Sequence, residues 1–420
     1  MHQPSLSNST VMPDENPTPA GLQVLPYHSA LREFLKLVDR DLWKWFAERR
    51  LAPKYAEDVR FELLKSTYRI ERDSQQPLYE QAAQVARLLG IEAPITIYQA
   101  QNPHGLNASL AYVPGEAHIV FHGPLATQLT TAEIAAVLAH ELGHFRLWED
   151  FGGELLVAAE MLQALCHDSQ AHPAHGASLR LFRLYAEIFC DRAALAATND
   201  LATVVSTLVK VETGVLEIDP AAYLRQADEI FARESASADG VTHPEAYIRA
   251  RAVRLWHERH PDAEQLISQM IEGNPALDDL DLLGQQRSAE QTRRLIDALL
   301  WRKWFQSDVV LAHARLYFDD YSPPARSVEL LDFAANGRTL PNSVRDYWCY
   351  VLLDFVTADR ELEEPPLAAA LRVAEQIGIK PRLLELLRQE LKLRKNVLER
   401  IDKNQEAILA EADRTVGATP

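Results

Sequence analysis

Cysteine is nearly absent: Cys166, Cys190 and Cys349 are the only three in 420 residues. They are far apart, form no CxxC, and one must be left over, which excludes a disulfide scaffold and suits a reducing compartment. Glycine is also scarce, at 16 residues. With leucine and alanine abundant, the chain leans towards helix. Positive charge is in deficit: 43 Lys and Arg against 60 Asp and Glu give a net charge of −17. A broad basic face for nucleic acid or anionic lipid is therefore not expected. Long apolar runs are missing too, and the best stretch, 155–165, is interrupted by Glu160 and Gln163, so no transmembrane segment is expected. Residues 1–25 are polar and Pro-rich. They lack the basic start and apolar core of a signal peptide and are expected to be disordered. These traits suggest a cytoplasmic protein, long enough for two or three domains.

Against these absences stands His140-Glu141-Leu142-Gly143-His144, an HExxH run. Thr130 followed by Glu133 is a capping box, which starts a helix there. Ile134, Val137, Leu138, Leu142 and Phe145 recur at helical spacing as its buried stripe. His140 and His144 lie one turn apart and leave the same face, a spacing at which two imidazoles can share one zinc. Glu141 points into the apolar stripe near Val137 and Phe145. Burying a carboxylate there is costly, and the cost makes sense if it faces a metal-bound water as general base.

Along the chain, 27–65 carries helical patterns with Leu31, Phe34, Leu35, Leu42, Trp43 and Phe46. Asp73-Ser74 is expected to cap a helix from Pro77 to Leu89, with Gly90 ending it. Ile95–Tyr98 reads as a strand. Asn107–Val113 and His118–Phe121 read as a hairpin joined by 114–117. Glu154–Cys166 is expected to be helical. A Pro/Gly-rich loop with solvated His167, His172 and His175 should follow. Further helices are expected at Ser178–Ala197, Ala202–Val215, Ala221–Ser235 and from Pro244 to His260. A boundary is placed at Gly273–Gln285, which divides a domain at 26–272 from an all-α domain at 285–420.

A zinc held by two His needs a third protein ligand and an open position for water. The helix Leu181–Asp191 offers Glu187, with Asp191 one turn on and on the same face. Glu187 would touch the metal, and Asp191 would orient one ligand His through its other nitrogen. Cys190 turns away and reads as packing. His243, before Pro244, reads either as a group that could hold an oxyanion or as an ordinary His-Pro helix start, and Arg249 could pair with Glu187 or Asp191.

With these residues in place, the chain resembles the HtpX-like, CAAX-prenyl-protease-type gluzincin metallopeptidases, family forty-eight of the metallopeptidases. The matching runs are Leu106-Asn107-Ala108, His118 to Leu125, Ala135 to His144, Glu187 to Asp191, and Thr242-His243-Pro244 with Arg249. The resemblance implies a mainly α fold with a small β-sheet, of the zincin (gluzincin) type, binding one Zn2+ per chain. It implies zinc ligands His140, His144 and Glu187, general base Glu141, Asp191 behind the ligands and His243 near the oxyanion. It also makes the strand from Asn107, with Ala108 and Ser109, the edge on which a peptide substrate pairs. The membrane-embedded members carry transmembrane helices, and this chain departs from them there.

A weaker resemblance, to tellurite-resistance TerB-like domains, covers about 345–392. Asp354, Asp359 and Glu363 form its acidic motif, which reads either as a hard-cation site or as a solvated acidic turn. Beyond it, Leu384, Leu387, Leu391, Leu398, Ile401 and Ile408 follow a heptad-like spacing over 383–410, broken by Arg394 and Gln405, which reads equally as a partner helix or as packing on its own domain. The expected function is zinc-dependent endoproteolysis of peptides or unfolded proteins, with protein quality control as its setting. The alternative is a zinc-stabilised interaction module with negligible turnover, which recruits partners through its helical C-terminus.

Overall fold

The computed structural model describes residues 22–50, 53–101, 105–167, 171–233, 245–330 and 341–417. The chain is mainly α with one small sheet, and it separates into two compact units. One runs to Ala171 and resumes over Ser178–Gly273; the other comprises His172–Ala177 and the chain from Asn274.

The first unit opens with α1 (Pro26–Val38), α2 (Arg40–Arg50) and α3 (Pro53–Ser66), followed by β1 (Thr67–Arg69) and α4 (Gln76–Leu88). Asp73 and Ser74 do not cap α4. They lie in a 3-10 turn, Arg72–Ser74, and Gln75 is the N-cap without a side-chain bond. Ser74 Oγ instead donates to the Glu71 carbonyl at 2.8 Å, so its capping capacity is used one turn earlier. Gly90, at φ +69°, follows the helix in the left-handed region that glycine tolerates.

The sheet consists of β1, β2 (Ile95–Ala100), β3 (Asn107–Val113) and β4 (Glu116–His122), in the order β1-β2-β4-β3. β2 and β4 are parallel, and the outer pairs are antiparallel. The hairpin turn is tighter than its sequence suggests. Pro114-Gly115 alone makes it, because Val113 already pairs with Glu116. Gly115 takes φ +74°, and Pro followed by Gly is the pairing that a turn of this kind favours. Ile97, Ile119 and Phe121 are fully buried. Leu63 of α3 packs with Tyr98 and Val120 in a small core.

After a short α5 (Leu125–Gln128), α6 (Thr131–Glu149) carries the HExxH run. Its capping box is complete: Glu133 N donates to Thr130 Oγ1 at 3.3 Å, and Thr130 N donates to Glu133 Oε2 at 2.9 Å. A cap of this kind contributes about 1 kcal/mol. α7 (Glu154–Cys166), α8 (Pro173–Thr198), α9 (Leu201–Thr213), α10 (Pro220–Arg233), α11 (Ala246–His257) and α12 (Ala263–Glu272) follow. The expected loop around His172 and His175 is largely helix, since α8 begins at Pro173. Proline suits a first helical position, and the cost of Gly176 inside, about 1 kcal/mol, is outweighed by a 26-residue helix. His172 Nδ1 accepts from Ala174 N at 3.2 Å, so it serves that helix start. α11 stops at His257, short of His260, and Arg259 has φ +51°. Pro244, its expected start, lies outside the described residues, and Glu245 is the N-cap.

His28 of α1 ties this unit together. It is fully buried, and its Nε2 donates to the Phe182 carbonyl at 3.0 Å. Burial outweighs that bond and lowers its pKa to about 4. The unfolded chain therefore binds more protons than the folded one between the ordinary value of 6.5 and 4, so stability rises with pH across that window and is lost as the pH falls through it. Between pH 7.5 and pH 5 the loss from this residue should be about 2 kcal/mol. Urea melts at the two pH values should show it in the wild type and lose it in His28→Gln. An unchanged pH slope in the variant would count against the assignment.

The second unit is helical among the described residues: α13 (Leu282–Leu300), α14 (Asp308–Tyr317), α15 (Asn342–Thr357), α16 (Pro365–Gln376), α17 (Lys380–Glu390), α18 (Lys395–Lys403) and α19 (Gln405–Gly417). Trp348, Leu352, Phe355, Leu371, Leu383 and Leu387 centre its core. The expected partner helix over 383–410 is not one helix. Breaks near Lys392, at φ +54°, and at Asn404 divide it, and Leu387, Leu398 and Ile401 point into the unit's own core. The acidic motif is engaged internally. Tyr317 donates to Asp354 at 2.6 Å and Ser307 to Asp359 at 2.7 Å. Asp359 also caps the short turn Arg360–Leu362. Glu363, the third member of the motif, has φ +54°.

Candidate metal centre and cleft

The cleft is built on α6, whose face towards α8 is cut away at Gly143. A Cβ there would meet Cys190 Cα and Ala193 Cβ, both at 3.0 Å. Only glycine permits this approach, and it draws α8 close enough for its acids to reach the imidazoles of α6. His140 Nε2 lies 3.4 Å from Glu187 Oε2, and His144 Nε2 lies 3.6 Å from Glu187 Oε1. Donors at zinc bond lengths in a tetrahedron stand about 3.3–3.5 Å apart, and these two separations, each to a different Glu187 oxygen, are close to that.

Behind them, Asp191 Oδ1 lies 3.1 Å from His140 Nδ1. Arg249 grips Asp191 with a fork, Nε to Oδ2 at 2.7 Å and Nη2 to Oδ1 at 2.6 Å. Its Nη1 also stands 3.2 Å from Glu187 Oε2. Burial by itself would raise the Asp191 carboxyl, but Arg249 and His140 outweigh it and hold it below its ordinary range. Arg249 is likewise shifted upwards, its two carboxylates outweighing burial.

The two histidines differ. Burial opposes charge on both, but Asp191 and Glu187 overcome it at His140, whose pKa rises to about 10. At His144 burial prevails and the pKa falls to about 4. His144 also stacks on Trp148, with ring centroids 6.4 Å apart and planes at 18°. Glu141 is 6% exposed. Burial pushes its pKa up to about 7, partly offset by His140 and by a bond from the Leu110 backbone.

Cys190 competes with Glu187 for the third position: the donor atoms of His140, His144 and Cys190 all lie within 4.8 Å of one another. Burial, reinforced by Glu187, raises this thiol well above 9, and the thiolate is the form that binds metal. Glu187 presents one oxygen to each ring, and we favour it on that ground. Among the described residues no other such group occurs, so His167, His172, His175 and the acidic motif of the second unit form none.

A cleft of 580 Å³ joins these residues to Asn107, Ala108, Ser109 and Leu110 of β3. β3 is an outer strand of the sheet, so its free edge faces the cleft. Ser109 Oγ is 2.9 Å from His122 Nε2, and Asn107 Oδ1 accepts from Ala108 N at 2.9 Å. His243 lies outside the described residues. Sequence reasoning missed Trp148 and the α9 wall, where Val204, Leu208 and Val211 line the cleft. Their spacing marks a helix face, but nothing local says what it faces. α9 is fixed to the head of α6 by Lys210, whose Nζ lies 2.8 Å from Glu133 Oε1, and by Ser206, whose Oγ donates to the same oxygen at 2.9 Å.

Residues 73–262 match the model of Peptidase family M48. The chain is 32% identical over 206 residues to a plastoglobule-localized metallopeptidase 48, chloroplastic, of Arabidopsis thaliana. That match covers 44% of this chain and 58% of the relative's length. None of the solved structures matches the chain. No described helix is long and apolar enough to cross a membrane. The two imidazoles, Glu187, Asp191 and the buried Glu141 all lie inside residues 73–262, the segment that matches the model of Peptidase family M48.

Proposed function

We propose that the chain is a zinc-dependent endopeptidase, with His140, His144 and Glu187 as the metal ligands and Glu141 as general base. The observation that carries this is the convergence of both Nε2 atoms on Glu187, at 3.4 and 3.6 Å, in the cleft that also holds Glu141. Zinc, when bound there, supplies the Lewis acidity that polarises a peptide carbonyl and lets water attack near neutral pH.

The chain's own residues do the rest. Glu141 takes a proton at its carboxylate and returns it to the leaving nitrogen. Asp191 fixes the His140 ring, Arg249 fixes Asp191, and Trp148 supports His144 by stacking. The open edge of β3, at Asn107, Ala108 and Ser109, pairs with an extended peptide. His243 is assigned as the oxyanion donor from its place in the sequence. Unfolded proteins, as in quality control, are the substrate class of this reading. The relative's name places that protein in the chloroplast. For this chain a reducing compartment such as the cytoplasm is supported by three unpaired cysteines. The division at 26–272 and 285–420, with a TerB-like character for the latter, belongs to the same proposal.

Elemental analysis tests the ligand set. We expect one zinc per wild-type chain, little in His144→Ala or Glu187→Ala, and full occupancy in Cys190→Ser. Zinc lost from Cys190→Ser and kept by Glu187→Ala would replace the carboxylate by the thiol.

A further inference from the structure

Away from the reacting centre, the cleft takes its character from α9. Val204, Leu208 and Val211 line it from one side of that helix, at the spacing that keeps side chains on one face. The short side chains of Ala136 and Ala194 line the same cleft, which leaves room beside them. The lining continues along α9 to Glu212, which lies about 12 Å along the axis from Val204.

Glu212 is exposed and makes no ion pair with a described residue. The other acids of the cleft are committed elsewhere. Glu187 and Asp191 are held by Arg249, and Glu141 is buried. Glu212 also stands in the last turn of α9, where the helix dipole is already negative and a cation is favoured. Lys210 of that turn does not meet the need, because it is buried and bound to Glu133 at 2.8 Å. A carboxylate in this place is stabilised by a positive charge brought from outside. The complementary group has an aliphatic stem for Leu208 and Val211 and a cationic head for Glu212, as lysine and arginine have.

Resting on the proteolytic reading above, we infer that Glu212 determines specificity: the cleft selects a lysine or arginine among the residues that flank the scissile bond. The net charge of −17 draws basic peptides in the same sense. The test uses peptides that differ only by arginine, norleucine or glutamate at each flanking position. Cleavage is followed with the wild type, Glu212→Gln and Glu212→Lys. Dissociation constants are measured by fluorescence anisotropy on zinc-loaded Glu141→Gln, with and without Glu212→Gln.

At one position arginine should be preferred about three- to fivefold, the size of an exposed ion pair, with the effect in KM and Kd and not in kcat. Glu212→Gln should bring the ratio to about one, and Glu212→Lys should favour a glutamate peptide. A wild-type ratio of one or less at every position overturns the inference, as does a ratio that survives Glu212→Gln. The binding arm separates this from the reading beneath it. A Glu212-dependent binding ratio without any wild-type cleavage supports the selectivity and sinks the proteolysis. Cleavage without a ratio does the reverse.

Discussion

Glu141→Gln should lower turnover about a hundred- to ten-thousand-fold, the contribution of a positioned general base, while zinc content and fold are kept. The amide has the shape of the carboxylate, and its oxygen can still accept from the Leu110 backbone, as Glu141 does. It cannot take a proton. None of the metal-facing groups is altered, since His140, His144 and Glu187 are untouched. Stability makes a second check. The Glu141 carboxyl is raised to about 7 by burial, so the folded state resists ionising it. The stability it lends is full below its unfolded pKa and lost as pH rises through the folded one. Metal-free Glu141→Gln should therefore melt at or above the wild-type temperature at pH 8. Undiminished cleavage by this variant would remove Glu141 from the mechanism.

Arg249→Leu should cost about 3–5 kcal/mol of stability, because it leaves two buried carboxylates without their cation. Asp191 is 4% and Glu187 8% exposed, so water cannot easily take the place of the guanidinium. Arg249→Lys should recover only part of the loss, since a single ammonium cannot reproduce the fork on both Asp191 oxygens. Excess zinc should stabilise the leucine variant, as a bound ion offsets the same carboxylates. Denaturant melts of the zinc-free proteins measure the first two, and melts of the leucine variant with added zinc measure the third. A loss below about 1 kcal/mol, the scale of an exposed pair, would mean that the acids are hydrated or paired otherwise.

How far this was legible depends on whether the deciding contacts are local. The α6 helix could be read because its start signal and its stripe agree: Thr130 and Glu133 cap it, and Val137, Leu138, Leu142 and Phe145 are buried. Glu187 and Asp191 stood out as acids one turn apart in an apolar helix. β1 could not be read, since it is three residues long and exists by pairing Thr67 with Ala100. The wall of the cleft was hidden for the same reason. Which face of α9 meets the cleft follows from Lys210 reaching Glu133, 77 residues away. The leucines of 383–410 left two readings open because period alone does not distinguish a seam for a partner from three short helices folded into one core. The Pro/Gly signal at 172–176 misled because proline starts helices as well as loops.

The account's central claim is that one bound zinc makes this cleft hydrolyse peptide bonds. The most direct measurement is cleavage of an unfolded protein by the whole chain, stripped of metal and then given back one equivalent of zinc. We expect cleavage to stop on stripping and to return on stoichiometric zinc. Undiminished cleavage by the metal-free chain, or a fully zinc-loaded chain that leaves the unfolded protein intact, would contradict it.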